Sequence, residues 1–214
     1  MRKSSSKRQA ILEMAYRLFR AQGFDKTSIA EITARVGGSK ATIYSHFASK
    51  EDLFVECMMA AVENYLSGTL KHLNVSRDLE VALREFGTSV LNFICSSEQL
   101  EVRRLMIAEA ARSGTGKLFF DKITALRTRV AAFLSACMAS GKLRPDDPGL
   151  AAHHLGALLE AEILEPLLLH LREASPNESE TALAASRAVT AFLRAYASAS
   201  EEIGRPRRTA SLPY

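Results

Sequence analysis

The stretch TSIAEITARVGGSKATIYSHF, residues 27–47, decides the fold prediction. Ser28, with a glutamate three residues later, forms a capping box that predicts the start of a short helix, and Gly37 predicts its end. Ser39 caps a second short helix over residues 40–46. Two short helices joined by so tight a turn are typical of a helix-turn-helix, in which the second helix enters the major groove of DNA.

The remaining helices are predicted outward from this unit. One helix begins at Ser6 and ends at Gly23, and a longer one runs from Ser49 to about Leu73. Capping and turn residues bound five more segments, at about 78–95, 98–112, 117–140, 148–172 and 178–199. Six apolar side chains are expected to share one small core: Leu18, Phe19, Ile29, Ile32, Ile43 and Phe47. The predicted fold class is therefore all-α, with about nine helices arranged as a three-helix head and a helical body.

Composition and charge agree with this assignment. The 214 residues include 32 Ala and 27 Leu but only 11 Gly and 6 Pro, which favours helices over sandwiches, barrels and alternating α/β chains. A hydrophobic content of 47% excludes a chain that is disordered throughout. Residues 1–50 hold ten Lys and Arg against three Asp and Glu, so the head is predicted to meet a polyanion.

Several other classes of protein are not expected. Glu13 and Arg17 interrupt the first apolar segment, and the later segment 155–171 contains three glutamates, so neither a signal peptide nor a transmembrane helix is predicted. Three cysteines without a C-x-x-C pair indicate free thiols in the cytoplasm. The neighbours His153 and His154 cannot chelate one ion from one helix face. The sequence contains no catalytic or cofactor-binding fingerprint, so no metal, cofactor or enzymatic activity is expected.

A longer series of residues, spread over 8–54, matches a known pattern. It comprises Ala15, Leu18-Phe19, Gly23-Phe24, Thr27-Ser28-Ile29, Ile32, Gly37, Ser39-Lys40, Thr42-Ile43-Tyr44, His46-Phe47 and Ser49-Lys50-Glu51. These positions resemble the amino-terminal signature of the tetracycline-repressor (TetR) family. The resemblance implies an all-α homodimer with a ligand pocket in its body and repression that a small molecule relieves. It divides the chain into a DNA-binding domain (1–54), a ligand-binding and dimerisation domain (55–204) and a disordered tail (205–214).

The resemblance also implies DNA contacts, position by position. It places Tyr44, His46 and Lys50 at the DNA backbone, Lys40, Ala41 and Thr42 near the base edges, and Thr27 and Ser28 at a phosphate. Each role is physically reasonable, because helix-start amides and hydroxyls bind phosphate and lysines release counterions. The alternatives are a core-closing aromatic for Tyr44, a packing or capping role for His46 and a solvated side chain for Lys50.

Gly38 departs from the family pattern, in which an aliphatic residue usually precedes the serine. The glycine either removes a buried side chain and so loosens the recognition helix, or has a positive φ that requires glycine. Of these two explanations, the first is the prediction, and it implies that Gly38→Val protects the amides of residues 39–47 from exchange and tightens operator binding; the second is the alternative.

Two sets of residues in the body are assigned functions. The dimer interface is predicted at Leu155, Leu158, Leu169, Ala185, Val189, Phe192 and Tyr196, unless these form the core of one chain. A pocket for an apolar or aromatic ligand is predicted at Met58, Tyr65, Phe86, Phe93, Met106, Phe120, Phe133 and Glu162, unless these are plain core. For Glu162 the alternative is a position at the rim, where it snorkels to solvent or pairs with an arginine across the dimer. His72, Glu109 and His153 are further polar candidates.

The resulting functional prediction is a cytoplasmic, homodimeric transcriptional regulator. It is expected to repress from a palindromic double-stranded operator and to be released by an unidentified small molecule, without a membrane partner. Two alternatives belong to other classes: a DNA-binding regulator controlled by a protein partner, with no small-molecule pocket, and a helical small-molecule carrier.

Overall fold

The computed structural model describes residues 2–198, with the side chains of residues 6–65 and 67–198. This part of the chain forms ten α-helices and no β-strand, so the all-α prediction is confirmed. The helices are α1 (Arg2–Lys26), α2 (Ile29–Val36), α3 (Lys40–Tyr44), α4 (Lys50–Thr69), α5 (Leu79–Ile94), α6 (Ser97–Arg112), α7 (Gly116–Ala139), α8 (Pro148–Glu160), α9 (Leu164–Leu168) and α10 (Glu178–Tyr196). A 3₁₀ turn, Leu70–His72, follows α4. The predicted tail at 205–214 lies outside the described residues.

The first three helices surround the small core that the sequence predicts. All six of the expected inward side chains are at most 8% exposed. Both ends of the first helix differ from the prediction. α1 begins at Arg2, ahead of Ser6, and it continues past Gly23, whose φ of 80° marks a kink. α4 begins at Lys50 and crosses the proposed domain boundary after residue 54, so the head and the body share a helix.

The segment 148–172, predicted as one helix, forms two. α8 ends at Glu160 and α9 begins at Leu164. Pro166 accounts for the break, because its nitrogen cannot donate to the Glu162 carbonyl and its ring would clash with that carbonyl in a continuous helix. In the first turn of a new helix a missing donor is tolerated.

The core of the body lies between α5, α8 and α10. The helices approach closely at Gly87, because a Cβ added there would lie 2.7 Å from Leu159 Cδ2 and 3.3 Å from Ala185 Cβ. A side chain at this position would push the helices apart. The three helices therefore pack through a glycine contact that no larger residue reproduces.

Five residues predicted for the dimer interface belong to this core instead. They are at most 4% exposed in the single chain: Leu155, Ala185, Val189, Phe192 and Tyr196. The interface prediction is wrong for them, because these amphipathic helices use their most apolar stripe for the core of their own chain. Leu158 packs against the same core and is partly buried, whereas Leu169 is 62% exposed.

Two further features concern the predicted absence of a membrane span and the state of the cysteines. No helix within residues 2–198 is both long enough and apolar enough to cross a bilayer. Cys57, Cys95 and Cys137 are buried free thiols. Burial raises the pKa of the Cys95 thiol to about 11 and also raises the pKa of the other two, so all three remain protonated near neutral pH.

Candidate nucleic-acid interface and body cavity

Two glycines and one lysine stabilise the turn between α2 and α3. Gly37 and Gly38 have φ of 75° and 113°, values that residues with a Cβ rarely adopt. From α1, Lys7 Nζ donates to the carbonyl oxygens of Val36 (3.0 Å) and Gly37 (2.7 Å). Of the two explanations for Gly38, the structure supports the one in which a positive φ requires glycine. Sequence reasoning missed Lys7, because contacts across 29 and 30 residues leave no local pattern.

Replacing Gly38 by valine is expected to destabilise the head and to weaken DNA binding. A β-branched residue held at a φ of 113° is strained by roughly 1–3 kcal/mol, and relief of that strain would move α3. Denaturant unfolding and a DNA mobility shift measure the two effects. Ala34→Val, on the exposed face of α2, is the control, and unchanged stability and affinity for Gly38→Val would show that glycine is not required.

α3 presents its residues to solvent as a groove-reading helix should. Lys40 and Ala41 are exposed and Tyr44 is 49% exposed, so Tyr44 does not close the head core. The Thr42 hydroxyl is already engaged, because Oγ1 accepts from the Ser39 amide (3.4 Å) while Ser39 Oγ accepts from the Thr42 amide (3.2 Å). This reciprocal cap leaves the Thr42 methyl group for contact with a thymine methyl.

The residues at the start of α2 differ in accessibility. Ser28 is exposed and its hydroxyl oxygen accepts from the Glu31 amide at 3.1 Å, as the N-cap of the helix. Thr27 is 1% exposed and donates its hydroxyl to the Gly23 carbonyl at 2.8 Å. The predicted phosphate contact by Thr27 is therefore wrong, because the hydroxyl is buried and satisfies the end of α1.

Lys50 and His46 lie at the edge of the same surface, and both are partly buried. The Lys50 Nζ is 4.1 Å from the centroid of the Phe24 ring, a cation–π contact that restrains the side chain. Lys50 is therefore more than a solvated first-turn lysine. The His46 ring centroid lies 6.3 Å from that of Phe47.

Among the described side chains of the head, ion pairs neutralise three arginines, Arg8, Arg20 and Arg35. Arg8 pairs with Glu56 and Arg35 pairs with Glu31, each at 2.9 Å. Lys40 is exposed, and no acidic side chain among the described residues pairs with it. Lys40 and Lys50 therefore leave positive charge beside α3 that no ion pair among the described residues neutralises.

The body contains a cavity of about 470 Å³ between α4, α5, α6, α7 and α8. Its wall is largely apolar, and the rings of Tyr65 and Phe93 stack within it at a centroid distance of 4.2 Å. Five predicted pocket residues line the cavity: Tyr65, Phe86, Phe93, Met106 and Phe120. A cavity of this size and composition suits a small organic molecule.

Three predicted pocket residues do not line the cavity. Met58 and Phe133 belong to the cores of the head and of the body. Glu162 lies on the turn after α8, where Arg187 Nε is 2.9 Å from both of its carboxylate oxygens. The hydrogen bonds from Arg187 hold the pKa of Glu162 below its usual value. The pocket assignment is wrong for these three, and the surface ion pair explains Glu162.

The other polar candidates also lie outside the lining. His72 is 3.3 Å from Glu85, His153 is exposed, and Glu109 is buried in α6. The polar members of the lining include Gln99, Arg103, Arg127 and Glu160, none of which the sequence analysis proposed. Their helical spacing resembles that of any solvated face, so only the packing of the helices distinguishes them.

An aromatic cluster connects the cavity with the head. Phe119 lines the cavity, and its ring centroid lies 5.6 Å from that of Phe54 on α4. The Phe54 ring in turn contacts those of Phe19 (5.0 Å) and Phe24 (5.2 Å) in the head. The next contact along this path is the cation–π contact of Lys50 at the candidate DNA surface.

Polar contacts between α1 and α6 form a second connection. The Tyr16 hydroxyl donates to Glu98 at 2.7 Å, and Arg20 donates to the same carboxylate at 2.9 Å. Arg20 also pairs with Glu101. Burial and the hydrogen bond to Glu98 raise the pKa of Tyr16 to about 12, so this phenol remains a donor at physiological pH.

The outer faces of α8 and α10 carry leucine and small residues. Leu150 is 47% exposed and Leu183 is 54% exposed. Ala157 on α8 and Ala191 on α10 are also exposed. Small residues allow helices from two chains to approach closely, so these faces, and not the stripe predicted from sequence, are available for association.

Models of two protein families match the chain. Residues 11–57 match the family described as bacterial regulatory proteins, tetR family. Residues 81–198 match the C-terminal domain of AefR-like transcriptional repressors. Together the matches cover the helix-turn-helix head and most of the body.

Individual relatives agree with these matches. The regulator AcrR of Shigella flexneri is 35% identical over 103 residues, which is 48% of this chain and 46% of AcrR. The regulator RutR of Escherichia coli K12 is 28% identical over 148 residues, 67% of this chain and 68% of RutR. The chain spans between about a third and a half of the length of the first curated relatives that it matches.

Solved structures match over nearly the whole chain. A structure described as a TetR-family transcriptional regulator from Mesorhizobium loti MAFF303099 aligns with a TM-score of 0.76 and 27% identity, over 91% of this chain and 98% of that one. The flavonoid-responsive regulator FrrA aligns with a TM-score of 0.70 and 29% identity, over 90% of this chain and 98% of that one.

Proposed function

The chain belongs to the TetR family of bacterial transcriptional regulators, and on this premise we propose that it is a homodimeric repressor that leaves its operator when a small apolar or aromatic molecule enters the body cavity. Residues 1–54 act as the DNA-binding domain, and residues 55–204 bind the ligand and form the dimer. The observation that carries the proposal is the contact of Phe119, which lines the cavity, with Phe54, which packs into the head.

DNA recognition is assigned to α3 and the residues around it. The exposed Lys40 and Ala41 and the methyl group of Thr42 face the base edges in the major groove. Tyr44, His46, Lys50 and the N-cap Ser28 bind the phosphate backbone. Thr27 takes no part beyond supporting the end of α1.

Dimerisation is assigned to the outer faces of α8 and α10. The exposed leucines Leu150 and Leu183, with alanines between them, support a four-helix bundle made from two chains. Such a dimer presents two copies of α3 to half-sites about 34–36 Å apart on a palindromic operator.

The response is assigned to a shift between two conformations. A ligand releases DNA only to the extent that it binds the non-binding conformation more tightly. An aromatic ligand is supported by the stacked Tyr65–Phe93 wall. It is also supported by the similarity to FrrA, which is described as responsive to flavonoids.

A mobility shift with the DNA upstream of the gene for this protein, combined with sedimentation, tests the core of the proposal. We expect a dimer that binds this DNA more tightly than random DNA, and transcription that rises when the protein is removed. Absence of a shift would favour the carrier alternative. Specific binding that no small molecule releases would favour control by a protein partner, and transcription that falls on removal would make the protein an activator, as the relative FasR of Mycolicibacterium smegmatis is described.

Replacing Lys50 by alanine is expected to weaken binding to operator and random DNA equally. Loss of one phosphate contact in each subunit lowers the slope of log affinity against log salt by about one per contact, or about two for the dimer. Fluorescence anisotropy across a salt series measures the slope. Lys117→Ala removes the same charge from the body and serves as the control, and a slope that Lys50→Ala leaves unchanged would refute the phosphate contact.

A further inference from the structure

The cavity wall contains a cation that the chain does not neutralise. Arg127 of α7 is partly buried and lines the cavity, and the structure gives its guanidinium no ion pair or hydrogen bond within the described residues. The other arginine of the wall differs, since Arg103 donates to both oxygens of Glu160 at 3.2 and 2.9 Å. The charges of Arg103 and Glu160 cancel, so Arg127 leaves the lining with a net positive charge.

A second polar side chain lines the wall. Gln99 of α6 is 8% exposed and lines the cavity. Its backbone amide donates to the Ser96 hydroxyl oxygen, but its side-chain amide has no hydrogen-bond partner in the part of the chain that the structure describes. Because Gln99 lines the cavity, its amide is available to a polar atom of a ligand.

Arg127 lies at the same end of the cavity as its aromatic wall. Arg129, two residues after Arg127, donates to the hydroxyl of Ser67, which lies two residues after Tyr65. Tyr65 and its stacking partner therefore border the same end of the cavity.

We propose that the ligand of this cavity is an amphipathic acid, with an apolar ring or chain against the Tyr65–Phe93 wall and its anionic group bound by Arg127. The amide of Gln99 can bond to a second polar atom of the ligand. A carboxylate, a sulfonate or an ionised phenol meets these requirements, because each combines an apolar body with one negative charge. A cationic ligand would instead be repelled by Arg127. This inference rests on the proposed ligand-binding role of the cavity and specifies the chemical class of the ligand.

Two fluorescent probes of matching shape test the proposal. Anilinonaphthalene sulfonate is anionic, and phenylnaphthylamine has the same rings without the sulfonate. We expect Arg127→Gln to weaken binding of the anionic probe about tenfold, the effect of losing one charged hydrogen bond, and to leave binding of the neutral probe unchanged. Arg129→Gln removes a neighbouring charge whose side chain points to Ser67 on α4, and it should change neither affinity.

The remaining outcomes separate this inference from the proposed function. If the wild-type chain binds the neutral probe but Arg127→Gln leaves the anionic probe unaffected, the anion site is wrong and the cavity proposal stands. If Arg127→Gln weakens both probes equally, Arg127 maintains the shape of the cavity, and the anion site is again wrong. If neither probe binds the wild-type chain, the ligand-binding function fails and the anion site fails with it.

Discussion

Replacing Phe54 by alanine is expected to lower the free energy of unfolding by about 3–5 kcal/mol, which is the usual cost of removing a fully buried phenylalanine. The Phe54 side chain is 0% exposed and its ring meets three others edge to face, those of Phe19, Phe24 and Phe119. Its loss leaves a cavity where the head meets the body, and the surrounding rings can refill it only in part. Denaturant unfolding of the full chain measures the loss.

The same chain offers a matched control. Phe120 is 62% exposed, so its side chain contributes little buried apolar surface. Phe120→Ala should therefore lower the free energy of unfolding by less than about 1 kcal/mol. Equal losses for the two variants would show that the aromatic cluster does not hold the head against the body. A milder variant, Phe54→Leu, keeps more of the packing. If the ring contacts transmit the ligand signal to the head, Phe54→Leu should reduce the release of DNA by ligand more than it reduces DNA binding.

Replacing Gly156 by phenylalanine is expected to weaken ligand binding strongly and to leave the fold intact. Gly156 lines the cavity from α8, on the same helix row as Ala152 and Glu160, which also line it. A Cβ added to Gly156 meets no atom within 4 Å, so the benzyl group enters open space and occupies the volume that the ligand needs. We expect phenylnaphthylamine to bind about a hundredfold more weakly, a change of roughly 3 kcal/mol.

Stability and DNA binding distinguish a filled cavity from a damaged fold. Removal of a glycine from a helix interior favours the helix by up to about 1 kcal/mol, so the unfolding midpoint of Gly156→Phe should not fall. Gly68→Phe is the matched control, since Gly68 lies in α4 outside the cavity lining and its added Cβ also meets no atom within 4 Å. Undiminished probe binding by Gly156→Phe would place the ligand elsewhere.

The helices of the head could be predicted from sequence because their signals are local. Ser28 and Ser39 each accept a hydrogen bond from an amide three residues later, and the apolar residues repeat with the helical period. Pro166 could have been used in the same way to divide the segment 148–172, since its effect on the preceding turn is also local. A proline at this position indicates the first turn of a new helix, α9.

Only some of the site residues could be predicted from sequence. Exposure of Lys40, Ala41 and Tyr44 follows from helix periodicity and was predictable. The burial of Thr27 was not predictable. Its hydroxyl donates to the carbonyl of Gly23 at a kink in α1, whereas the sequence pattern indicates a helix end at Gly23. The sequence pattern also could not distinguish an apolar stripe that packs inside one chain from one that packs between two chains, so Phe192 and its neighbours were assigned to the wrong surface.

The sequence by itself determined the fold class, the position of the helix-turn-helix and the family resemblance, because caps, glycine turns and helical periodicity act over a few residues. Only the tertiary structure decided which aromatic residues surround the cavity and which form the core. It also decided that Arg127 lines the cavity with no partner among the described residues, whereas Glu162 pairs with Arg187 on the surface. The physical reason is that a cavity is a property of several packed helices. The residues that meet across it, such as Tyr65 and Arg127, are far apart along the chain and share no local pattern.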